Sequence, residues 1–95
     1  MFVFSTRFKI HISMRFSLKD KRMVVRSIKD KFRGAFKVPV VEVEQQDNRN
    51  IAVLAFTFVC EQKYYGEKLQ QKMLDFIEDN CSEEVIEIEE FIEKY

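Results

Sequence analysis

The spacing of apolar residues changes along this chain, and that change constrains the fold more than any other feature. From Phe2 to Met14 apolar and polar side chains alternate, which is typical of a half-buried strand. Ser17 and Asp20 then match a capping box, and the apolar residues that follow recur at helical spacing until about Gly34. This part of the chain therefore predicts a strand followed by a helix.

The rest of the chain repeats these periods with one extra strand. Pro39 precedes a short alternating segment, a turn at 47–50 leads into the apolar run Ile51–Cys60, and a second helical pattern spans about Tyr64–Asp79. A last alternating segment spans Val85–Phe91. The order βαββαβ with right-handed crossovers predicts that all 95 residues form one α+β, ferredoxin-like domain. In this fold a four-stranded antiparallel sheet, with the first and third strands central, carries both helices on one face.

The alternation also assigns side chains to the two faces of the sheet. In the third strand we expect the bulky even-numbered residues to be buried and the smaller odd-numbered ones, Val53 to Val59, to lie on the open face. In the second strand the valines at 41 and 43 should share one face and the glutamates at 42 and 44 the other. The second helix should bury five side chains: Tyr65, Leu69, Met73, Phe76 and Ile77.

The composition excludes several classes of function. The chain has a single histidine, His11, which removes most catalytic triads and histidine-based metal sites, and Cys60 and Cys81 are too few and too far apart for a zinc site. The second helix should separate the two cysteines by about 24 Å, which is too far for a disulfide. No apolar run is long enough to span a bilayer, and Arg7 and Lys9 interrupt any signal-peptide pattern. We therefore expect a cytoplasmic protein that is not an enzyme, needs no cofactor or metal and contacts no membrane.

Charge is sorted by position along the chain. Residues 1–37 carry eleven basic and two acidic side chains, a net charge of +9, and residues 38–95 carry five basic and fourteen acidic ones, a net charge of −9. A total of zero therefore conceals two opposed halves. Either the halves neutralise each other in the fold, or the basic half faces an anionic partner.

The strongest candidate for such a surface lies on the first helix. Five cations fall within one narrow arc beside the apolar face and form what we call the basic stripe: Lys19, Arg22, Arg26, Lys29 and Arg33. Like charges at this spacing destabilise a helix, so helix stability does not explain the stripe. One interpretation is a surface that tracks the phosphates of RNA. The alternative is neutralisation by the acidic half, in particular by Asp75, Glu78 and Asp79 of the second helix.

Two further surfaces are candidates for binding. The open sheet face carries Arg7, Lys9 and His11 but lacks the aromatic residues that stack RNA bases, and we expect Glu87 and Glu89 to neutralise it. The remaining flat, partly apolar face predicts a homodimer formed through the sheet.

The other surface is the start of the first helix, where Arg15 and Ser17 could bind an anion at the free amides. Acylphosphatases bind phosphate at this place in the same fold, but with a glycine-rich segment that is missing here. A simple N-cap role for Ser17 is the competing interpretation.

Two segments of the chain also resemble a known family. Residues 17–22 (SLKDKR), continued by 24–27 (VVRS), are similar to the signature of the YlxP-like bacterial proteins, and residues 43–47 (VEQQD) resemble a second segment of that family. The resemblance implies a ferredoxin-like fold and, through the genomic company of translation and ribosome-maturation factors, a link to RNA. It supplies no activity.

We therefore expect a small binding module that contacts RNA or a ribosomal particle through the basic stripe. The alternatives are a homo-oligomeric scaffold protein with no nucleic-acid role and an acylphosphatase-like hydrolase.

Overall fold

A computed structural model describes all 95 residues and contains six elements in the predicted order. They are β1 (Phe2–His11), α1 (Leu18–Phe36), β2 (Val41–Glu44), β3 (Ile51–Cys60), α2 (Lys63–Asp79) and β4 (Glu84–Lys94). The strands form one antiparallel sheet in the order β2-β3-β1-β4, so that β1 and β3 are central. The predicted ferredoxin-like α+β fold is confirmed.

The core lies between the sheet and the two helices. Even-numbered residues of β1 and β3 face inward, and Phe8, Phe32 and Phe56 are among the most deeply buried side chains. The rings of Phe32 and Phe56 lie 4.9 Å apart, which joins α1 directly to β3. Both helices contribute to this one cluster, so α1 and α2 cover the same face of the sheet and leave the other face open.

The ends of α1 follow local chemistry. The Ser17 hydroxyl accepts a hydrogen bond from the Asp20 backbone N–H, and the Asp20 carboxylate accepts one from the Ser17 backbone N–H, so the predicted capping box is present. The helix does not end near Gly34 as predicted. It continues to Phe36, and Lys37 takes the left-handed conformation, with φ of 59°, that terminates it.

Two boundary and burial predictions are wrong. β1 ends at His11 rather than near residue 14, and Met14 is 77% exposed because the chain turns away from the sheet. Tyr65 is 60% exposed rather than buried. The adjacent residue Gly66 packs against the Phe4 ring in its place, and this contact turns Tyr65 to solvent. A glycine there lets the start of α2 approach the sheet closely.

The second strand also differs from a regular alternation. The register of β2 against β3 shifts between Glu42 and Glu44, so Glu42 lies opposite the buried Leu54 and Glu44 opposite Val53. The two glutamates therefore occupy opposite faces, because a bulge changes the parity of a strand. Val53 belongs to the open face but is fully buried, since its ladder neighbours Lys9 and Glu44 are long side chains.

Candidate nucleic-acid interface

The basic stripe lies on the outer surface of α1. Four of its members are exposed and Lys29 is half-buried, while Val25, Ile28 and Phe32 of the same helix point into the core. The predicted separation of α1 into an apolar arc and a cationic arc is therefore present. The capping box and the aromatic core fix the rotation of the helix, and this rotation turns the stripe to solvent.

The acidic half of the chain does not neutralise the stripe. Its one ion pair joins Arg26 to Asp30 of the same helix at 3.9 Å, and both side chains are at least 75% exposed. No carboxylate of α2 comes within the 4.0 Å ion-pair distance of any of the five cations. An exposed pair of this kind contributes about 0–1 kcal/mol, so the stripe keeps its positive field.

The acidic residues pair with other cations instead. Arg7 on the open sheet face lies 2.8 Å from Glu44 of β2 and 3.0 Å from Glu89 of β4. The hydrogen bond to Glu89 is the main cause of the raised pKa of Arg7, and the charge of Glu44 adds to it. Lys9 pairs with Glu87 at 2.6 Å. The expected neutralisation of Arg7 and Lys9 on β1 by glutamates of β4 is therefore present. The cations of the open sheet face are paired with acids, whereas the stripe has no such partners on other elements.

A shallow groove runs beside the stripe, between α1 and β2. It has a volume of about 250 Å³ and is lined by Arg22, Val25, Arg26, Lys29 and Glu42. Three of these residues are cations of the stripe and one is an acid. The groove thus places the carboxylate of Glu42 next to three cations of the basic stripe.

Lys21 is the residue that the sequence reasoning missed. Its side chain is 1% exposed, and its Nζ donates to the backbone carbonyls of Gln45, at 2.6 Å, and Asn48, at 2.5 Å. The same atom lies 3.2 Å from Oε2 of Glu42 and 3.4 Å from the Gln46 carbonyl. A buried ammonium is stable only when it is paired in this way. Lys21 therefore fixes the turn between β2 and β3 to the first half of α1.

A signal for this role exists in the sequence. On the helical wheel Lys21 falls inside the apolar arc, between Ile28 and Phe32, where a cation must either leave the core or find buried acceptors. The contact also joins the two segments that carry the family resemblance, since Lys21 lies in 17–22 and Gln45 in 43–47. Only the tertiary structure shows which carbonyls accept its protons.

The start of α1 already carries an anionic group of its own. The Asp20 carboxylate accepts hydrogen bonds from the Ser17 backbone N–H and hydroxyl, each at 2.9 Å, and these bonds lower the pKa of Asp20. Arg15, the other half of the predicted anion site, is exposed and has no ion-pair partner. An external anion at this end would therefore compete with Asp20, and Ser17 serves as the N-cap.

The structure shows no group of three or more His, Cys, Asp or Glu side chains that could hold a metal ion. Cys60 and Cys81 are both free, and burial raises the pKa of the Cys81 thiol. Neither helix is long and apolar enough to cross a membrane.

Comparison with curated proteins gives no match to this chain. A family model does match, over residues 3–90, and its description is a protein of unknown function. That range includes the basic stripe, the groove, Lys21 and the turn that Lys21 holds. The chain therefore belongs to the DUF503 family of proteins of unknown function.

Proposed function

We propose that this protein is a small RNA-binding module that contacts RNA, free or in a ribosomal particle, through the basic stripe. The observation that supports this proposal is that no acidic residue outside α1 forms an ion pair with the stripe. Five cations share one helix face, and their only ion pair is the long, exposed contact between Arg26 and Asp30. The resemblance to the YlxP-like proteins points in the same direction, and the free thiols of Cys60 and Cys81 agree with a cytoplasmic location.

The physical argument is a comparison of costs. Clustered like charges on α1 repel each other and lower helix stability by a few tenths of a kcal/mol for each neighbouring pair. Acidic partners were available, since α2 carries Asp75, Glu78 and Asp79, yet none of them lies within ion-pair distance. A phosphate backbone provides a regular row of anions that such a stripe can bind.

The test is the salt dependence of RNA binding. If all five cations of the stripe contact phosphates, the log–log slope of affinity against salt should be about −3.5 for single-stranded RNA, from about −0.7 per contact. Reversal of Arg22 and Arg26 to Glu removes two of these contacts and should flatten the slope to about −2. Both side chains are exposed, so the fold should be retained.

A matched control uses the other helix. The double variant Lys68→Glu and Lys72→Glu makes the same change in net charge on exposed residues of α2 and should leave the slope unchanged. The proposal is refuted if the wild-type protein has no measurable affinity for RNA at about 50 mM salt. It is also refuted if the two charge reversals weaken binding equally.

We propose a homodimer through the open sheet face as a second candidate role, which would operate with or without RNA. Its support is apolar exposure at one end of that face, beside the first residues of β1, where Val59 is 61% and Phe91 50% exposed. Both residues lie beyond the ionic network of Arg7, and Val59 pairs in the ladder with Val3.

Solution size tests this second candidate. Val59→Glu should convert a dimer into a monomer, whereas Met23→Glu, at a residue that is 63% exposed on α1, should not. Val53 is unsuitable for this test because it is fully buried. A wild-type protein that is monomeric at every accessible concentration would rule out the dimer.

A further inference from the structure

The last strand, β4, is an edge of the sheet that no other part of the chain covers. In the order β2-β3-β1-β4 its outer side has no neighbouring strand, and its only backbone hydrogen bonds are those of the ladder with β1. A bulge at Glu87, where φ is 48°, interrupts the strand opposite Phe8. From residue 89 to residue 94 the ladder is regular, so this run presents a row of unpaired backbone N–H and C=O groups to solvent.

This edge is strongly acidic. The strand carries one cation, Lys94, and five glutamates: Glu84, Glu87, Glu89, Glu90 and Glu93. Two of the glutamates, Glu87 and Glu89, pair with Lys9 and Arg7 of β1, and the other three form no ion pair. The first strand therefore neutralises only part of the charge of β4, and the edge keeps a negative field.

Apolar side chains lie between these charges. Ile88 is 40%, Phe91 50% and Ile92 39% exposed. Charges alone protect a sheet edge from unwanted pairing, whereas exposed apolar side chains on the same edge favour contact with another chain. Protection of the edge therefore does not explain the composition of β4, which suits a partner with both apolar and charged side chains.

The charge of β4 decides which partner fits. It repels RNA, and it also repels the same strand of a second copy of this chain. We infer that β4 binds an extended, basic segment of another protein, which joins the sheet as a fifth strand. Main-chain hydrogen bonds to residues 89–94 hold the segment. Its basic side chains face Glu89 and Glu93 on the open side of the sheet, and its apolar ones face Ile92 on the helix side.

The site is separate from the proposed RNA interface and does not depend on it. The groove beside the basic stripe is lined by Glu42 of β2, and β2 and β4 are opposite edges of the sheet. RNA on the stripe and a basic segment on β4 therefore do not compete for the same surface. A particle that contains both RNA and basic proteins can contact both edges.

The experiment compares three fluorescently labelled peptides of about ten residues on the wild-type protein, by anisotropy at about 0.15 M salt. Their sequences alternate Lys with Val, Lys with Gly, and Glu with Val. The Lys-Val peptide should bind about tenfold more tightly than the Lys-Gly peptide, which has the same charge but a low tendency to form a strand. The Glu-Val peptide should not bind. Outward-pointing amides among residues 89–94 should exchange hydrogen more slowly when the Lys-Val peptide is bound.

Two double variants then locate the site. Glu90→Lys with Glu93→Lys, both at exposed positions, should weaken binding of the Lys-Val peptide about tenfold, because opposite charges across the strands become like charges. The matched control, Glu61→Lys with Glu78→Lys, makes the same change in net charge on exposed residues outside the sheet and should keep most of the affinity.

Three results would overturn the inference: equal affinity for the Lys-Val and Lys-Gly peptides, equal weakening by the two double variants, or unchanged hydrogen exchange in residues 89–94. RNA binding is measured separately on the same wild-type protein. Its absence would refute the proposed function and leave the peptide result unaffected.

Discussion

Replacement of Lys21 by Met removes the buried ammonium and keeps most of the volume of the side chain. In the native protein Nζ of Lys21 makes two short hydrogen bonds, to the carbonyls of Gln45 and Asn48, and an ion pair with Glu42. The variant loses all three contacts at once. It also leaves the Glu42 carboxylate, whose side chain is only 17% exposed, without its compensating charge.

The magnitude follows from these contacts. Loss of one partner of a buried ion pair typically costs about 3–5 kcal/mol, because the other charge remains buried and unpaired. We expect Lys21→Met to lower the free energy of unfolding by this amount. That is a large part of the roughly 5–15 kcal/mol typical of a domain, so the turn that Lys21 holds should also lose protection from amide hydrogen exchange.

Glu42→Gln completes a double-mutant cycle with Lys21→Met, and its effect on stability should differ in sign between the wild-type and Lys21→Met backgrounds. In the wild-type protein Glu42→Gln removes one attraction while Lys21 keeps its carbonyl acceptors, and we expect a loss of about 1–2 kcal/mol. In the Lys21→Met background the same change removes an unpaired buried charge, and it should raise stability by about 1–3 kcal/mol.

Urea denaturation followed by far-UV circular dichroism measures all four proteins of the cycle, since the chain has no tryptophan. Lys31→Met, on an exposed position of the same helix, is the control and should stay within about 0.5 kcal/mol of the wild-type value. The reasoning is refuted if Lys21→Met costs no more than Lys31→Met. It is also refuted if Glu42→Gln has the same effect in both backgrounds.

Two further predictions concern the helices. Gly34→Ala should raise the free energy of unfolding by about 0.5–1 kcal/mol, because Gly34 lies inside α1 and the new methyl group would meet no atom within 4 Å. Gly66→Ala should lower it by about 1–3 kcal/mol, because the new Cβ would overlap the buried Phe4 ring. Thermal unfolding of both variants checks these opposite signs. Hydrogen bonds from Ser17 lower the pKa of Asp20 in the folded protein. The charged carboxylate therefore stabilises the fold fully above the ordinary aspartate pKa of about 3.9, and this contribution is lost as the pH falls through the lowered pKa. The stability advantage of the wild-type protein over Asp20→Asn, measured from about pH 7 to pH 2, should therefore be constant above about pH 5 and shrink in acid; an advantage that does not depend on pH would contradict this assignment.

The basic stripe shows which part of a candidate binding site can be predicted from helical periodicity alone. Its five members could be placed on one arc from spacing alone, because an α-helix fixes the angle between residues whatever surrounds it. Whether acids of α2 pair with the stripe depends on the distance and angle between two helices, which spacing does not contain. The structure shows that they do not pair with it, and that Arg7 and Lys9 pair with glutamates of β2 and β4 instead.

The errors at Glu42 and Tyr65 have a common origin. Each prediction assumed regular alternation or an average helical arc, and each residue lies where one element departs from regularity to fit another. The bulge in β2 separates Glu42 from Glu44, and the contact of Gly66 with Phe4 turns Tyr65 to solvent. Such departures arise from packing between elements that are distant in sequence.

Four features could be derived from the residues without coordinates: the order of the elements, the central position of β1 and β3, the capping box of α1 and the separation of its apolar and cationic arcs. These features depend on side-chain periods and on contacts between residues a few positions apart, which a linear pattern records directly. Folding in three dimensions was needed to show that Lys21 is buried among carbonyls of a turn 24 or more residues away, and that Glu42 lies 3.2 Å from its ammonium. A polar group is stabilised in the core only by the particular partners that folding brings to it, and those partners are set by the packing of the whole domain.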